Sequence, residues 1–214
     1  MILGISGSPR PNRITDHAVK EVLSNYQGET KFISLAGKKI SGCIGCLGCI
    51  EDNMCVVKDD FLEIAKAMVE ADGIVIGVPN YYDLPNALSH SLLERCFCFR
   101  HKSNFLLKDK PVVIISTGYS KDEENNPVLK IVEHFINSNH MDVVSKFLVG
   151  GYSQCYTCKA GLTCVDGNIV KKHGFVDRVI PEILPPEFDK QLISIKKCQD
   201  ASKLLQKYLS KEKK

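Results

Sequence analysis

The chain opens with Met1-Ile2-Leu3-Gly4-Ile5-Ser6-Gly7-Ser8-Pro9-Arg10-Pro11-Asn12-Arg13-Ile14-Thr15. Its apolar, β-branched run over residues 2–6 predicts a buried strand, and the Gly, Ser, Pro and Arg residues that follow predict a loop. Apolar side chains then return at helical spacing over about 15–26, which predicts a helix. The chain therefore begins with a strand, a loop and a helix, which form the repeating unit of parallel α/β proteins.

The same unit recurs along the chain. Apolar runs predict further strands over about 30–35, 73–78, 111–116 and 143–149, with helical patterns between them. This alternation predicts an α/β fold with a mostly parallel, five-stranded sheet and helices on both faces. Past residue 150 the pattern weakens, and we expect irregular structure followed by a last helix over about 187–209. No repeat or low-complexity linker divides the chain, so a single domain over residues 1–214 is predicted.

Composition is that of a globular protein rather than a nucleic-acid-binding or membrane protein. The chain has 214 residues, of which 44% are hydrophobic and 25% charged, and its formal net charge is only +3 at pH 7. This charge is too small to indicate nucleic-acid binding, and no apolar run reaches membrane-spanning length. The apolar start is short and lacks a cleavage pattern, so we expect no signal peptide and a cytoplasmic protein. Ten cysteines in such a compartment indicate metal or redox chemistry before disulfides.

Four of these cysteines, Cys43, Cys46, Cys49 and Cys55, follow the pattern C-x2-C-x2-C-x5-C. Thiolates at this spacing reach one metal centre from a short length of backbone, and the glycines between them allow the backbone to wrap closely. We interpret the stretch 41–55 as the binding loop of one cubane iron–sulfur cluster. A zinc site is the main alternative, although zinc ribbons usually separate two C-x2-C pairs, and free or disulfide-bonded cysteines are a third interpretation.

Three predicted strands end in loops that suit a flavin mononucleotide (FMN). The loop after the first strand supplies backbone N–H groups, hydroxyls and two guanidiniums for a terminal phosphate, and it matches neither the dinucleotide nor the NTPase fingerprint. Two further loops offer aromatic faces and backbone donors to a planar ring at the same edge of the sheet. The candidate FMN-binding residues are Ser8, Arg10, Asn12, Arg13, Thr15, Pro79, Asn80, Tyr81, Tyr82, Thr117, Gly118 and Tyr119. The alternative is an ordinary solvent-exposed loop beside tyrosines that pack in the core or at an interface.

Together these residues resemble those of the iron–sulfur flavoprotein family, within the flavodoxin-like, NADPH-dependent FMN reductase superfamily. The resemblance covers about 1–149 and rests on Gly7-Ser8-Pro9-Arg10, on Pro79-Asn80-Tyr81-Tyr82 and on the compact cysteine motif. It implies a flavodoxin-like, doubly wound sheet of strand order 2-1-3-4-5. In this arrangement residues 1–149 form the FMN-binding core, 41–55 an inserted cluster loop and 150–214 a cysteine-containing extension.

The resemblance also implies cofactors, partners and a function in electron transfer. It implies bound FMN, one [4Fe–4S] cluster on the four cysteines of the motif, and a homodimer or homotetramer. Electrons would come from a ferredoxin-like donor and pass to a small acceptor such as oxygen, hydrogen peroxide or a quinone-like compound. Such chemistry requires no protein nucleophile or general base, so no catalytic side chain is predicted. Two alternatives stay open: an NAD(P)H-dependent FMN or quinone reductase whose cysteine loop is structural, and a non-enzymatic redox sensor or electron carrier.

A second cysteine group lies in the predicted extension. Cys155, Cys158 and Cys164 have the spacing C-x2-C-x5-C, and the resemblance assigns them no role. One interpretation is that they supply three ligands of a second metal or cluster. Candidates for a fourth ligand are Cys96, Cys98, Cys198 and His173. A redox-active or disulfide-bonded pair and plain buried thiols are the other interpretations.

Overall fold

The computed structural model describes residues 1–119 and 122–212, which are built around one sheet. Its strands are β1 (Ile2–Ser6), β2 (Thr30–Ser34), β3 (Gly73–Tyr81), β4 (Leu84–Pro85), β5 (Pro111–Gly118) and β6 (Asp142–Gly150). Five strands lie in the order β2-β1-β3-β5-β6 and are parallel, whereas β4 pairs antiparallel with β3. The predicted α/β class is confirmed, and the sheet differs from the predicted five-stranded one by the added strand β4.

Helices cover both faces of this sheet, as the alternating pattern predicted. The described helices are α1 (Ile14–Ser24), α2 (Phe61–Glu70), α3 (Ala87–Arg95), α4 (Pro127–Ser138), α5 (Asn168–His173) and α6 (Leu192–Glu212). α1 and α6 pack on one face, and α2, α3 and α4 pack on the other. Short 3-10 helices lie at Cys96–Ser103, Gln154–Tyr156 and Phe188–Lys190. None of the described helices is long and apolar enough to cross a membrane.

β1 lies between β2 and β3, and all of its residues are buried. Leu3 and Ile5 belong to the core on the side of α2, and Ile2 belongs to the core on the side of α1. Full burial of each such side chain stabilises the fold by about 1.5–3 kcal/mol. Gly4 allows α1 to pack closely, since a Cβ there would lie 2.6 Å from Leu23 Cδ1. The loop between β1 and α1 is therefore held at the carboxyl edge of the sheet by two tightly packed elements.

β3 continues past residue 78, where the sequence predicts its end. Pro79 has no N–H to donate, yet the strand continues beyond it. After Tyr81 the chain turns back, and β4 pairs with the last two residues of β3. Tyr82 and Asp83 form the two-residue turn of this hairpin, with left-handed φ values of 56° and 60°. Positive φ at both positions is typical of a type I′ hairpin turn. The predicted strand end was thus wrong, and the hairpin fixes Tyr81 at the sheet edge.

α6 closes the sheet beside α1, where Cys198, Ala201 and Leu205 are buried. The helix begins later than predicted, because residues 188–190 form a separate 3-10 helix and Gln191 binds two earlier segments of the chain. Its side-chain amide donates to the carbonyl oxygens of Gly150 (2.9 Å) and Pro186 (3.0 Å). The C-terminal extension is therefore tied to the end of β6, and the residues after Gly150 lie at the carboxyl edge of the sheet.

Candidate cofactor sites

A cavity of about 610 Å³ opens at the carboxyl edge of the sheet, where β1, β3 and β5 end. Its volume lies in the range of about 300–1,000 Å³ that is usual for cofactor and ligand sites. The candidate residues that line it are Ser8, Arg10, Arg13, Thr15, Pro79, Asn80, Tyr81, Tyr82, Thr117, Gly118 and Tyr119. The structure thus brings eleven of the twelve candidate FMN-binding residues together.

The loop after β1 forms one end of this cavity. Ser8 Oγ donates to the carbonyl oxygen of Arg10 (2.9 Å), and Thr15 Oγ1 lies 2.8 Å from Thr117 Oγ1, which joins the start of α1 to the end of β5. The guanidinium of Arg10 lies 5.8 Å from the ring centroid of Tyr152. Among the described residues, Arg10 Nε is buried and has no hydrogen-bond partner. Arg10 and Arg13 both line the cavity, and two guanidiniums there fit an anionic group such as the phosphate of FMN.

Asn12 is the candidate that does not line the cavity. Its backbone is in the left-handed region, with φ of 55°, and its N–H donates to Asp16 Oδ2 (2.7 Å). Lys20 Nζ donates to the side-chain oxygen of Asn12 at 3.5 Å. Asn12 therefore shapes the turn into α1, and the neighbouring arginines supply the contacts to the cavity.

The ends of β3 and β5, which are paired at Pro79 and Thr117, form another part of the cavity lining. Gly118 allows the two strands to approach, since a Cβ there would lie 2.9 Å from Asn80 Cβ. The Asn80 side chain is used in the β3–β4 hairpin, where its oxygen accepts from the backbone N–H of Asp83 (2.8 Å). Tyr81 and Tyr119 line the cavity here and are partly exposed. Their aromatic side chains suit a planar ring as the ligand.

Sequence reasoning missed one wall of the cavity. The residues that it did not assign to the cavity are Ile14, Asp83, Gly151, Tyr152, Ser153, Gln154, Cys155 and Asn168. Most of them follow β6 directly, and the end of β6 lies beside the end of β5. Their position could have been inferred from the topology, because parallel strands all end at the same edge of the sheet. The weak sequence pattern after residue 150 did not indicate it.

The four cysteines of the motif line a second cavity, which in the described residues shares no lining residue with the first. Cys43 and Cys46 are exposed, Cys55 is half-buried, and Cys49 is only 8% exposed. Burial raises the pKa of Cys49, and the charges of the other three thiolates add to this rise. The four cysteines therefore share one small cavity, in which Cys49 is the most buried. Left-handed backbone at Gly45, with φ of 65°, curls the loop around them.

Arg95 joins the cysteine loop to the core. It is 2% exposed, and its Nη2 donates to Cys55 Sγ (3.1 Å) while its Nη1 donates to Asp59 Oδ2 (2.6 Å). Burial acts to raise the pKa of Asp59, but hydrogen bonds from Arg95 and from backbone N–H groups outweigh it and lower that pKa below its usual value. Nη1 also donates to the carbonyl oxygen of Ser41 (3.1 Å), at the start of the loop. A buried cation is thus hydrogen-bonded to the sulfur of Cys55.

Two further residues contact the cysteines, and neither was predicted to do so. His101 Nε2 lies 3.0 Å from Cys49 Sγ, and Cys98 lines the same cavity. In the part of the chain that the structure describes, no group of three or more His, Cys, Asp or Glu side chains is arranged to hold a metal ion. The donor set nevertheless fits an iron–sulfur cluster, because four thiols line one cavity and a buried guanidinium donates to one sulfur.

Comparison with known proteins identifies the family of this chain. Residues 1–154 match the model of the NADPH-dependent FMN reductase family. The chain is 37% identical over 146 residues to an iron-sulfur flavoprotein of Methanocaldococcus jannaschii, an alignment that covers 67% of this chain and 75% of the relative. It is 31% identical over 146 residues to an iron-sulfur flavoprotein of Methanosarcina thermophila, covering 67% and 76%. The chain belongs to the iron–sulfur flavoproteins of the NADPH-dependent FMN reductase family.

Solved structures share the fold of this flavoprotein. RosB, solved with bound 8-demethyl-8-formylriboflavin-5′-phosphate, matches it with a TM-score of 0.64 at 13% identity, over 97% of this chain and 77% of RosB. General stress protein 14 of Treponema denticola, solved in complex with FMN, matches with a TM-score of 0.55 at 11% identity, over 97% and 98%. These matches confirm the flavodoxin-like fold. Its family membership makes the flavoprotein an FMN-dependent oxidoreductase.

The structure does not bring the second cysteine group, Cys155, Cys158 and Cys164, together with the residues suggested as a fourth ligand. Cys155 lines the FMN cavity, whereas Cys158 and Cys164 are exposed and do not line it. Of those fourth ligands, Cys96 and Cys98 belong to the core beside α2 and α3, and Cys198 belongs to the core beside α1. His173 Nε2 lies 3.2 Å from the hydroxyl of Tyr156. The structure therefore gives the second metal no defined ligand set.

Arg10→Gln is expected to weaken FMN binding about 10–100-fold, since a hydrogen bond to a charged group contributes about 1.5–3 kcal/mol. The loss should be specific for the phosphate, because Arg10 belongs to the loop after β1, the part of the cavity that is assigned to the phosphate. Titration of the apoprotein with FMN and with riboflavin, followed by flavin fluorescence, measures both affinities. Riboflavin has no phosphate, so its affinity should change less than about twofold. An equal loss for both ligands would show that Arg10 does not contact the phosphate.

Proposed function

We propose that this flavoprotein binds FMN in the cavity of about 610 Å³ and a [4Fe–4S] cluster on Cys43, Cys46, Cys49 and Cys55. In this proposal a ferredoxin-like protein donates electrons to the cluster, and they pass through FMN to a small acceptor such as oxygen, peroxide or a quinone-like compound. The observation that carries it is the presence on one chain of two separate cavities, one shaped for a flavin phosphate and ring and one lined by four thiols. A cytoplasmic location is part of the same proposal.

The bound cofactors supply the redox chemistry, since a cluster carries one electron at a time and a flavin one or two. The protein supplies position and charge. Arg10 and Arg13 would hold the phosphate end, and Tyr81 and Tyr119 would lie beside the ring. Arg95 is buried and donates to the sulfur of Cys55, so it would place a positive charge beside a cluster bound there. No side chain is required as a nucleophile or a general base.

We propose further that the protein acts as a homodimer or homotetramer in which the cysteine loop of one subunit approaches the FMN cavity of a neighbour. Two observations support this arrangement. The two cavities share no lining residue among the described ones, and both open beside exposed apolar side chains. Ile44 and Leu47 are 69% and 51% exposed on the cysteine loop, and Tyr82 is fully exposed on the β3–β4 turn. Exposed apolar groups of this size are favoured in interfaces.

The test is a comparison of two electron donors under anaerobic conditions. Reduced ferredoxin and NADPH are each mixed with holoprotein, and flavin absorbance is followed in a stopped-flow instrument. We expect ferredoxin to bleach the flavin at least about tenfold faster in protein that contains the cluster than in FMN-loaded protein that lacks it. Equal rates with and without the cluster would contradict the proposed path.

NADPH-dependent flavin reduction is the second candidate function, and the match to the NADPH-dependent FMN reductase family favours it. In that case NADPH would bleach the flavin at the same rate whether or not the cluster is present, and ferredoxin would be a poor donor. The same experiment therefore separates the two functions. The cysteine loop would then stabilise the fold without carrying electrons.

A further inference from the structure

Cys155 and Cys158 lie in one turn beside the FMN cavity. Cys155 lines the cavity together with Arg10 and Tyr119, whereas Cys158 is exposed to solvent and does not line it. Both thiols are free. Neither has a role in the proposed path of electrons through the cluster and FMN.

The backbone brings these two cysteines within reach of a disulfide. The N–H of Cys158 donates to the carbonyl oxygen of Cys155 (3.3 Å), which closes a turn of the i to i+3 type. In such turns the two Cα atoms lie within about 7 Å of each other, and disulfides join Cα atoms that are about 4.4–6.8 Å apart. Gly161 packs against this turn so closely that a Cβ there would lie 2.0 Å from Cys155 O. The backbone of this turn therefore holds the two cysteines at a Cα separation that is compatible with a disulfide.

Hydrogen bonds from its surroundings also favour the reactive, deprotonated form of Cys155. Its Sγ accepts a hydrogen bond from the backbone N–H of Asn168 at 3.3 Å. Hydrogen bonding with Ser153, followed by that from Asn168, lowers the pKa of Cys155. By contrast, burial raises the pKa of Cys96 and of Cys198 to about 12. Thiolate character and access to solvent together define a reactive cysteine.

We propose that Cys155 and Cys158 form a second redox site, which exchanges electrons with low-molecular-weight disulfides. The Cys155 thiolate attacks one sulfur of the disulfide, the S–S bond of that disulfide breaks, and one thiolate leaves and takes a proton from water. Cys158 then loses its proton to water, and its sulfur attacks the Cys155 sulfur of the mixed disulfide. The second thiolate leaves and is protonated. In total, two electrons pass from the cysteine pair to the substrate, which becomes two thiols, and the pair becomes a disulfide. Neither FMN nor the cluster takes part.

The test uses holoprotein, glutathione disulfide and peptide mapping. After anaerobic incubation and alkylation of the remaining thiols, trypsin cuts at Lys146, Lys159 and Lys171. Cys155 and Cys158 then share the peptide 147–159, whereas Cys164 lies in the peptide 160–171. We expect the peptide 147–159 to appear unalkylated and lighter than its reduced form by two hydrogen atoms, in a proportion that follows the ratio of oxidised to reduced glutathione.

Two variants separate the roles of the cysteines. Cys158→Ser should trap a glutathione adduct on Cys155, formed at least about tenfold faster than any adduct on the exposed Cys164. Cys164→Ser is the matched control and should form the disulfide within 147–159 as the unchanged protein does. The wild-type mapping is informative even if a variant does not fold.

Three results would overturn the inference. The first is a disulfide that links the peptide 147–159 to the peptide 160–171. The second is equal rates of adduct formation on Cys155 and Cys164. The third is a thiol pair that stays reduced in glutathione disulfide because iron or zinc protects it, shown by release of the metal in Cys158→Ser. Failure of the ferredoxin path would not affect this test, since it requires no electron transfer to FMN.

Discussion

Replacement of Cys49 with Ser is expected to remove at least about nine-tenths of the iron bound per chain, while FMN stays bound. Cys49 is the buried member of the cysteine motif, and its sulfur lies 3.0 Å from His101 Nε2 in the cavity that all four cysteines line. A serine oxygen is a poorer ligand for iron than a thiolate, and the cluster requires all four positions. FMN should be retained because the two cavities share no lining residue among the described ones. Iron analysis and the flavin absorbance of anaerobically reconstituted protein measure both quantities.

Cys98→Ala is the matched control for this variant. Cys98 lines the same cavity, and burial strongly raises its pKa, so it is expected to be a protonated thiol that packs as a small apolar side chain. The Cys98 variant should keep the wild-type iron content. If Cys98→Ala lost the iron and Cys49→Ser kept it, the ligand set read from the motif would be wrong.

Arg95→Gln is expected to destabilise the fold by about 3–5 kcal/mol, the cost of removing one partner from a buried ion pair. The Asp59 carboxylate would lose its buried partner, and the carbonyl of Ser41 and the sulfur of Cys55 would lose a donor. The guanidinium also lies 4.6 Å from the ring centroid of Phe61, so its removal leaves a gap in the packing of α2 against α3. Urea unfolding of the metal-free proteins measures the change in free energy without a contribution from the cluster.

Two further variants test the cause of this loss. Arg95→Lys keeps the charge but cannot make the two-pronged contact to Asp59 and Cys55, so it should recover only part of the stability. Asp59→Asn combined with Arg95→Gln should cost less than the sum of the two single changes, because each single change leaves a charge unpaired. Additive effects, or a loss below about 1 kcal/mol for Arg95→Gln, would show that the pair is not coupled in the way that the structure indicates.

The strands were predictable from sequence where the chain is apolar and buried on both faces. β1 is an example, since each of its residues is buried and its bounds are those predicted. The end of β3 was not predictable in the same way, because Pro79 is typical of a strand end. The strand nevertheless continues beyond Pro79, because its last residues pair with β4 in a hairpin. The turn of this hairpin, at Tyr82 and Asp83, has no glycine that would have indicated it in the sequence.

In the candidate sites, too, some contacts were predictable from the sequence and others were not. Contacts that lie within one loop, such as those of Ser8 and Arg10, were predictable because the motif itself carries the chemistry. Arg95 and His101 contact the cysteines only because the end of α3 and the 3-10 helix after it pack against the loop. Nothing in the spacing of an Arg or His some forty to fifty positions away in sequence indicates such a contact. The wall formed by Tyr152 and Cys155 depends on where β6 ends and on how Gln191 ties down the extension.

The most direct test is the measurement of iron, acid-labile sulfide, zinc and FMN per chain in protein purified without oxygen. The two separate cavities predict about four iron atoms, about four sulfides and about one FMN per chain, with no zinc in the cysteine loop. Replacement of any one cysteine of the motif should remove the iron and sulfide together. Protein that binds FMN but holds zinc, or no metal, at these cysteines would contradict the proposed path of electrons through a cluster.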